Sequence, residues 1–484
     1  MRRLLAATMS AVSSVALAAS TNAAPAPAPK LTQAQHDATH AMFEHIVDIP
    51  TVIGRHRVPE EAQFIADQFK AAGFPAEDVH VMPYHTGSAT TGDDDTAALI
   101  VRWRAAGKPT GRPILLMGHM DVVEAKPEDW SATDPFKMVE KDGYYYGRAT
   151  IDMKEGITAI TQAMIDLKAA GFKPKRDIVV LFTGDEETNG IGAQKGATDW
   201  LDLLGHPEFG LNADGIGGGF NPDGSPAGMT FQAAEKTFAS YTFTVHNRGG
   251  HSSKPRKDNA IYSLAHALDK LEAYRFTPKM NETTRAYFTA KAKMDKGPLG
   301  DAMRAWLANP NDGEAADFIE ASESEVGLTR TRCVPTRLFG GHADNALPQL
   351  ATALINCRIF PGEDPNAVKA ELERIVNDPT VIVTRNDDYV ASLASPLRPD
   401  VVGAYTHAVR VLHPGMPVFP EMSTGASDAR PFRVVGIPVY GVNGAWVQVP
   451  TDFRAHGKDE RLPVQALYDN VVHWEIMLLD LAGK

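Results

Sequence analysis

Apolar runs alternate with stretches of helical periodicity in the first half of the chain. Strand-like runs occur at residues 97–103, 113–118 and 177–184, and the last two are apolar over most of their length, as expected of strands buried on both faces. Residues 155–170 lie between those two and carry apolar residues at helical spacing. This β-α-β order predicts an α/β fold with a mainly parallel sheet covered by helices.

The pattern changes after about residue 234. A strand, a helix, two strands, a helix and a final strand are predicted in that order, at residues 239–245, 259–274, 331–339, 351–360, 365–376 and 380–385. The order β-α-β-β-α-β is typical of a ferredoxin-like α+β sandwich. A mostly helical stretch, residues 277–327, interrupts it.

Alternation of the α/β type returns near the C-terminus. We therefore predict a discontinuous main domain, residues 35–236 and 394–484, with the sandwich inserted at residues 237–393.

The N-terminus has the pattern of an export signal. Arg2 and Arg3 precede an apolar and small-residue run at 4–17, which is too short to favour a membrane anchor. We predict a cleaved signal peptide at residues 1–23 and a Pro/Ala-rich spacer at 24–34. The protein is then periplasmic or secreted, with no membrane association after cleavage.

The net charge bears on which partners the protein can bind. It is −12 for the whole chain, and it becomes −14 without the signal, from 46 basic and 60 acidic residues. An acidic surface argues against nucleic acid and anionic membranes as partners, although a local arginine can still bind a small anionic substrate.

Five short islands of His, Asp and Glu lie far apart in the chain. They are Gly118-His119-Met120-Asp121, Ile151-Asp152-Met153-Lys154, Gly184-Asp185-Glu186-Glu187, Ala213-Asp214-Gly215 and Ala455-His456-Gly457. Imidazole with carboxylate is the ligand set that suits zinc, and each ion needs about four ligands. The islands therefore predict a hydrolytic site with two metal ions, placed where open α/β sheets hold their sites, at strand C-terminal ends.

Position alone leaves two roles open for some of these residues. Asp121 could bind metal. However, His119 and Asp121 form an H-x-D motif at a strand end, where alternate side chains point the same way, so Asp121 is better placed to accept a hydrogen bond from the ring of His119. Asp152 either bridges two cations, with one oxygen to each, or caps the helix that begins near residue 154.

Glu186 and Glu187 follow an apolar strand. Two adjacent carboxylates repel each other, so this placement requires compensating cations or protons. Because neighbouring side chains diverge, we expect one to bind metal and the other to act as general base.

Together the islands resemble those of the co-catalytic di-zinc peptidase family, which includes aminoacylase, acetylornithine deacetylase, glutamate carboxypeptidase and carnosinase. The resemblance covers about residues 35–480, and the run from Gly118 to Arg148 is most similar to the Gly-X carboxypeptidase and carnosinase branches. One departure is Ala149, where the family usually has glycine.

The resemblance implies a role for each island. It implies one zinc held by His119, Asp152 and Asp214, a second zinc held by Asp152, Glu187 and His456, and Glu186 as general base; cobalt or manganese could replace zinc. It also implies a cis peptide bond after the bridging Asp152.

The resemblance extends to the inserted sandwich, which in the family is a lid and dimer contact. A double glycine followed by His251 matches the lid motif, which implies that His251 stabilises an oxyanion in a partner subunit's site, and hence a homodimer. Asn345 and Arg358 lie in motifs that resemble a substrate-carboxylate site, and a guanidinium suits a carboxylate because it forms two parallel hydrogen bonds. For Arg358 the alternative is a plain surface charge. Gly425 and Ala426 resemble a loop that lines the pocket near the leaving group.

These observations predict an exported di-zinc enzyme that cleaves a peptide or N-acyl amide bond next to a free α-carboxylate. Its substrate would be a small peptide or an N-acyl amino acid. One alternative is an aminopeptidase or dipeptidase that holds its substrate through the amine. A more remote alternative is a non-catalytic binding protein on the same scaffold, which would be expected to lack a ligand or the base.

The two cysteines predict a disulfide. Export places them in an oxidising compartment, where an even number favours pairing. If residues 331–339 and 351–360 are neighbouring antiparallel strands about a centre near residue 345, Cys333 lies opposite Cys357. The alternative is two buried free thiols.

Overall fold

The computed structural model describes residues 29–88 and 91–484. The predicted signal at residues 1–23 and the first part of the spacer lie outside the described residues. The first helix begins at Gln33, where Thr32 and Gln35 form a capping box that satisfies free N–H groups of the first turn.

Twelve α-helices occur in the described residues. They are α1 (Gln33–Val47), α2 (Val58–Ala71), α3 (Lys154–Ala169), α4 (Ile191–Ala197), α5 (Ala260–Ala273), α6 (Glu282–Met294), α7 (Pro298–Ala308), α8 (Gly313–Glu320), α9 (Pro365–Val376), α10 (Pro399–Leu412), α11 (Ala429–Val434) and α12 (Val464–Ala482). Within residues 29–88 and 91–484, none of the helices combines the length and apolar character needed to cross a membrane.

Nineteen β-strands occur in the described residues and are numbered in chain order. They are β1 (Val79–Ser88), β2 (Gly92–Trp103), β3 (Ile114–His119), β4 (Val139–Lys141), β5 (Tyr144–Tyr146), β6 (Ile178–Thr183), β7 (Phe209–Asn212), β8 (Gly218–Phe220), β9 (Pro226–Glu235), β10 (Thr237–His246), β11 (Gly250–His251), β12 (Arg332–Gly340), β13 (Ala346–Leu347), β14 (Leu350–Ile359), β15 (Val381–Arg385), β16 (Val418–Ser423), β17 (Val439–Gly441), β18 (Trp446–Gln448) and β19 (Arg461–Pro463).

The larger sheet has ten strands in the order β1-β2-β6-β3-β7-β17-β9-β8-β18, with β16 paired to β9. Its centre, β6-β3-β7-β17, is parallel, whereas β1 and β2 are antiparallel at one edge. The predicted β-α-β unit is confirmed as β3, α3 and β6. The α/β fold with a mainly parallel central sheet is therefore confirmed.

The two faces of this sheet are covered by different helices. Every residue of β3 and β6 is buried, and alternate residues point to opposite faces. Leu116 and Val180 pack with residues of α3, α10 and α12, whereas Leu115 and Leu181 pack with residues of α4 and α11. Burial on both faces explains why these two strands are almost continuously apolar.

The smaller sheet is antiparallel and has the order β12-β14-β10-β15. Its elements follow one another as β10, α5, β12, β14, α9 and β15, and α5 and α9 bury their apolar faces against it. The predicted β-α-β-β-α-β order is therefore present. Helices α6, α7 and α8 lie between α5 and β12, where a helical insertion was expected.

The predicted disulfide joins β12 to β14 of the smaller sheet. Cys333 lies directly opposite Cys357, their Cα atoms are 4.0 Å apart, and the two residues are bonded. A bulge between Pro335 and Arg337 shifts the register of the inner part of this strand pair by one residue. The cysteines lie beyond the bulge, in the register predicted from the sequence.

Candidate metal centre and active-site cleft

Three adjacent parallel strands end at one edge of the larger sheet, and a predicted ligand follows or ends each of them. His119 is the last residue of β3, Glu186 and Glu187 lie in the turn after β6, and Asp214 follows β7. Parallel strands place their carboxyl ends together, and loops at that edge form the site in open α/β sheets. Ligands nearly a hundred residues apart thus meet because of the sheet order.

Asp152 joins this edge from the segment before α3. Its Oδ1 is 3.3 Å from Nε2 of His119, and its Oδ2 is 3.0 Å from Nε2 of His456. The N-cap of α3 is Met153, which makes no side-chain cap, so Asp152 does not cap the helix. The Asp152–Met153 peptide bond is cis, as the resemblance implied. One carboxylate oxygen faces each imidazole, which is the arrangement a bridging ligand requires.

The ligand atoms form two groups that share Asp152. Each group has its atoms within 4.8 Å of one another, and the two groups are His119-Asp152-Asp214 and Asp152-Glu187-His456. These are the two sets that the resemblance implied. A third grouping, His119 with Glu186 and Glu187, places Glu186 against the same cluster.

The electrostatics of the cluster indicate that cations belong there. Burial, and then the charge of Asp214, raise the pKa of Glu186 well above its ordinary value. Burial and the charges of Asp152 and Glu187 raise the pKa of Asp214 to about 7. Hydrogen bonds with Asp152 and Glu187 raise the pKa of His456 to about 10. Carboxylates crowded in a buried site repel one another unless positive charge compensates them, so this donor set fits two divalent cations.

Asp121 acts differently from the prediction. Nδ1 of His119 is 2.9 Å from the backbone oxygen of Asp121 but 3.6 Å from its carboxylate, so the carbonyl orients the ring. A carbonyl only accepts, so Nδ1 carries the hydrogen and Nε2 is free to bind metal. The Asp121 carboxylate instead accepts the N–H groups of Glu186 and Glu187, each at 3.0 Å. It therefore holds the backbone that presents both glutamates.

Asp185 anchors the same turn from the other side. Its buried carboxylate accepts from the hydroxyls of Tyr84 and Thr86, at 2.6 and 2.8 Å, and from the N–H groups of Ile191 and Gly192, at 2.7 and 2.9 Å. No local pattern predicts this role, because Tyr84 and Thr86 come from β1, about a hundred residues earlier. The only local signal was a third acidic residue in the Gly184–Glu187 island.

Ala149, where the family usually has glycine, has a backbone conformation that favours glycine. Ala149 is fully buried and adopts φ 71°, in the left-handed region that favours glycine, and its carbonyl accepts the N–H of Lys154 at 3.0 Å. Glycine is free of the steric cost that Ala149 bears, which explains why glycine is usual at this position.

A cleft of about 750 Å³ opens beside the cluster. Glu186 and Glu187 line it together with Arg358, Gly425 and Ala426. The structure therefore brings three of the four predicted substrate-binding residues to the metal centre. A cleft of this volume is in the range that encloses a small organic ligand.

His251 and Asn345 lie together in a different place. His251 belongs to β11, which pairs with β13, and the N–H of Ser252 donates to the backbone oxygen of Asn345 at 3.0 Å. His251 is exposed, and its Nδ1 accepts the N–H of Ser253 at 3.1 Å. Among the described residues that line the cleft, neither His251 nor Asn345 is present.

Arg358 on the small-sheet side of the cleft is half-buried and lacks an anionic partner. Its guanidinium lies 5.0 Å from the ring of Phe238, and no carboxylate of the described chain is within ion-pair distance of it. Burial lowers the pKa of Arg358 below its ordinary value. Sequence reasoning missed a second such residue, Arg430 of α11, which stacks at 4.1 Å on Tyr389. Both arginines line the cleft.

Two cation sites that share a carboxylate at the end of a parallel sheet, with a further carboxylate beside them, define a metal-dependent hydrolase. The sequence profile of peptidase family M20/M25/M40 matches residues 115–480. The chain belongs to this family, and it is a metallopeptidase or amidohydrolase. The family resemblance inferred from the islands is confirmed.

Two relatives are similar over about three quarters of the chain. The N-fatty-acyl-amino acid synthase/hydrolase PM20D1 of Xenopus tropicalis is 30% identical over 76% of this chain and 72% of that protein. A probable carboxypeptidase S-like 2 of Dictyostelium discoideum is 28% identical over 76% of this chain and 71% of that protein.

Solved structures share the fold along almost the whole chain. The M20 family metallo-carboxypeptidase Sso-CP2 from Sulfolobus solfataricus gives a TM-score of 0.66 at 17% identity, covering 91% of this chain and 98% of that chain. Human carnosine dipeptidase 1 gives 0.63 at 14% identity, covering 93% and 98%. At these identities the likeness shows the fold alone.

Proposed function

We propose that this chain is an exported di-zinc enzyme that hydrolyses a peptide or N-acyl amide bond next to a free α-carboxylate. The observation that carries the proposal is Arg358, a half-buried cation without an anionic partner in the described chain, in the cleft that also contains Glu186. A partly desolvated charge is costly without a partner, and a substrate carboxylate would supply one. The names of the two relatives, which refer to N-fatty-acyl amino acids and to a carboxypeptidase, support the same substrate class.

The two ligand groups around Asp152 are the residues that would hold the metals. Zinc suits imidazole with carboxylate, and cobalt or manganese can occupy similar sites. When bound, the cations supply Lewis-acid polarisation of the scissile carbonyl and acidify a water molecule.

Glu186 is the residue we assign to proton transfer. A carboxylate oxygen of Glu186 lies within 4.8 Å of ligand atoms of His119 and Glu187, so its side chain is close enough to exchange a proton with a water molecule at the cluster. Glu186 would take a proton from the attacking water and deliver it to the leaving nitrogen. Asp121 assists by holding the backbone N–H groups of the turn that carries Glu186.

The rival function is an aminopeptidase or dipeptidase that holds its substrate through the amine. In that case Asp388, an exposed carboxylate that also lines the cleft, would bind the substrate amine. The two functions differ in which end of the substrate must be free and charged.

The test is hydrolysis of matched substrates by the zinc-loaded protein. We expect cleavage of N-acetyl amino acids and of dipeptides with a free carboxylate, and little cleavage once that carboxylate is amidated. Glu186→Gln should abolish turnover while zinc content is unchanged. Equal hydrolysis of the amidated substrates, with dependence on a free amine, would favour the rival.

Export is part of the proposal. The charged and apolar pattern of residues 1–23 supports it, and so does the Cys333–Cys357 disulfide, since such bonds persist in oxidising compartments. Fractionation of cells that make the full chain, with N-terminal sequencing of the product, tests this point.

We also propose a homodimer, formed through the smaller sheet. Its edge strand β12 exposes Leu338 and Phe339, by 63% and 64%, and α5 exposes Ile261 and Tyr262 nearby. An exposed apolar edge of this kind is a surface that a two-fold interface would cover. Such a dimer gives His251 a site to complete in the partner. Phe339→Glu should then produce a monomer with reduced activity, and a fully active wild-type monomer in sedimentation would contradict the proposal.

A further inference from the structure

Asn443 is a buried residue next to the loop that carries Asp214. It follows β17, the parallel strand beside β7 in the larger sheet, and it is 2% exposed. Its Nδ2 is within hydrogen-bond distance of three acceptors: the backbone oxygens of Ala213 at 2.8 Å and Gly215 at 2.9 Å, and Oε1 of Glu155 at 2.8 Å. Ala213 and Gly215 are the two chain neighbours of Asp214. One buried amide therefore holds the backbone on both sides of a metal ligand.

Glu155 fixes the orientation of this amide. It is the second residue of α3, is fully buried, and accepts the hydrogen bond from Nδ2 of Asn443. On the other side of the amide, Oδ1 of Asn443 accepts the N–H of Ala445 at 3.1 Å. A carboxylate is costly to bury, and an apolar side chain would fill the same space without that cost. Among the described residues, Asn443 is the side chain that donates to this carboxylate, so Glu155 is explained by that contact and not by packing.

The Asp214 loop also contacts α3 directly. Gly156 lies so close to Ala213 that a Cβ at Gly156 would come within 2.9 Å of the Cβ of Ala213. Glycine lowers helix stability relative to alanine, and here it permits this close approach. The first turn of α3 therefore supports the loop both by packing and through the hydrogen bond between Glu155 and Asn443.

The second cation site has a separate support. The buried guanidinium of Arg148 pairs with the buried carboxylate of Glu460 and donates to the backbone oxygen of Gly457 at 3.0 Å. The same carboxylate accepts the N–H of Ile151 at 2.8 Å. This pair joins the backbone next to His456 to the segment before the bridging aspartate, and it shares no residue with the first support.

We infer that Asn443, oriented by Glu155, is a positioning residue for the cation site to which Asp214 contributes. Coordination tolerates little error in ligand distance, and hydrogen bonds from outside the ligand set fix the ligands before a cation binds. Because the two supports are separate, loss of the amide should weaken this site and spare the site of Glu187 and His456. The inference rests on the two cations of the proposed function and assigns the residues that set the affinity for one of them.

The test is zinc binding by the whole protein over a series of buffered free zinc concentrations. For the wild-type protein we expect two zinc ions per chain. In Asn443→Leu, which nearly preserves the side-chain volume, one zinc ion should bind with unchanged affinity. The other should bind about 10- to 100-fold more weakly, which is the usual effect of losing a contact that orients a metal ligand.

Asn470→Leu is the matched control. Asn470 is fully buried, as Asn443 nearly is, and its Oδ1 accepts the N–H of Gly444, the residue after Asn443, at 2.9 Å. This hydrogen bond supports the same segment of the chain without reaching the Asp214 loop. The substitution should lower the melting temperature and leave both zinc affinities unchanged. The same zinc loss in Asn470→Leu as in Asn443→Leu would refute a positioning role, since general loosening of the fold would then explain both.

A second pair of variants tests Glu155. Glu155→Leu removes the acceptor and should weaken the same zinc ion, but by less than Asn443→Leu, because the amide still reaches two backbone oxygens. Glu155→Gln keeps an acceptor oxygen and should bind both zinc ions as the wild type does. Equal weakening in Glu155→Gln and Glu155→Leu would mean that the charge acts and not the hydrogen bond, which would contradict the inference. This pair also decides the question if Asn443→Leu does not fold.

The remaining outcomes separate the inference from the proposed function. In Asn443→Leu, equal weakening of both zinc ions, or of neither, would refute the inference and leave the two-zinc proposal intact. Asp214→Ala should lose the same ion, so adding Asn443→Leu to it should cause no further loss, and an additive loss would show that Asn443 acts elsewhere. A wild-type protein that binds fewer than two zinc ions would refute the proposed function, and the inference with it.

Discussion

The acidic cluster on the large sheet and Arg358 on the small sheet both line one cleft, but the protein holds their charges in opposite ways. On the cluster side, two hydrogen-bonding groups of Asp121 hold the site: its carbonyl orients the ring of His119, and its carboxylate holds the turn with Glu186. On the other side, Arg358 rests on Phe238 and has no ion pair or hydrogen bond from its side chain in the described chain.

The difference follows from what each side binds. Resident cations require ligands fixed before binding, because coordination tolerates little error in distance, and outer hydrogen bonds provide that rigidity. A group that binds a transient substrate must be free when the site is empty, since an internal ion pair would compete with the substrate. The structure thus separates a permanent site from a recognition site by whether the charges are already partnered.

The largest effect should come from breaking the shared ligand of the cluster. In Asp152→Asn one bridging carboxylate is lost from both groups, so zinc content should fall from two to less than one per chain and turnover should become undetectable. Elemental analysis of the purified protein measures this. Asp269→Asn, at an exposed position on α5, is the control and should retain both metals. Two zinc ions per chain in Asp152→Asn would show that the groups do not share a ligand.

The next largest effect should come from the unpartnered arginine. Arg358→Met should raise KM for substrates with a free carboxylate by about 10- to 150-fold, the loss expected for hydrogen bonds between charged groups, with zinc content unchanged. Arg358→Lys should raise KM less than Arg358→Met does, because lysine retains the positive charge. The control is Arg374→Met, because Arg374 stacks on Tyr274 in the same way but pairs with Glu371. An unchanged KM in Arg358→Met would leave Arg358 as a surface charge.

A smaller effect is expected from the disulfide. Cys357 precedes Arg358 in β14, so the bond to Cys333 restrains the strand that presents the anchor. Cys333→Ser/Cys357→Ser should lower the free energy of unfolding by about 2–4 kcal/mol and raise KM slightly. The metal side should keep two zinc ions. Thermal unfolding with and without reductant measures the change, and loss of zinc on reduction would contradict the independence of the two sides.

The smallest effect is expected at Ala149, on the metal side. Ala149→Gly removes the steric cost of φ 71° but adds freedom to the unfolded chain, so we expect stabilisation of at most about 1 kcal/mol. KM should not change. Ala170→Gly, at an ordinary φ of −72°, should have the opposite sign. If both glycines destabilise the protein equally, the left-handed conformation carries no cost here.

The local sequence pattern was sufficient to predict the main helices and strands and the residue types of the metal ligands. Continuous apolar runs predicted β3 and β6, and the spacing of apolar residues predicted α3 and α9. Counting residues along two predicted antiparallel strands placed Cys333 opposite Cys357. The ligand islands were recognisable because His and carboxylate at strand ends are needed for chemistry, not for packing. The roles proposed for His251, Asn345, Gly425 and Ala426 depend on the resemblance and remain predictions.

Other features depend on contacts between distant segments, which no local pattern encodes. Whether Asp121 binds the ring of His119 or the turn at Glu186 was decided by how close β3 and β6 lie in the sheet. The anchoring of Asp185 required β1, whose Tyr84 donates its hydroxyl to that carboxylate. The sequence alone thus determined which residues could perform the chemistry, because side-chain type and periodicity are local properties. Only the tertiary structure decided which of them are partnered and which are free, because partnership depends on distances across the fold.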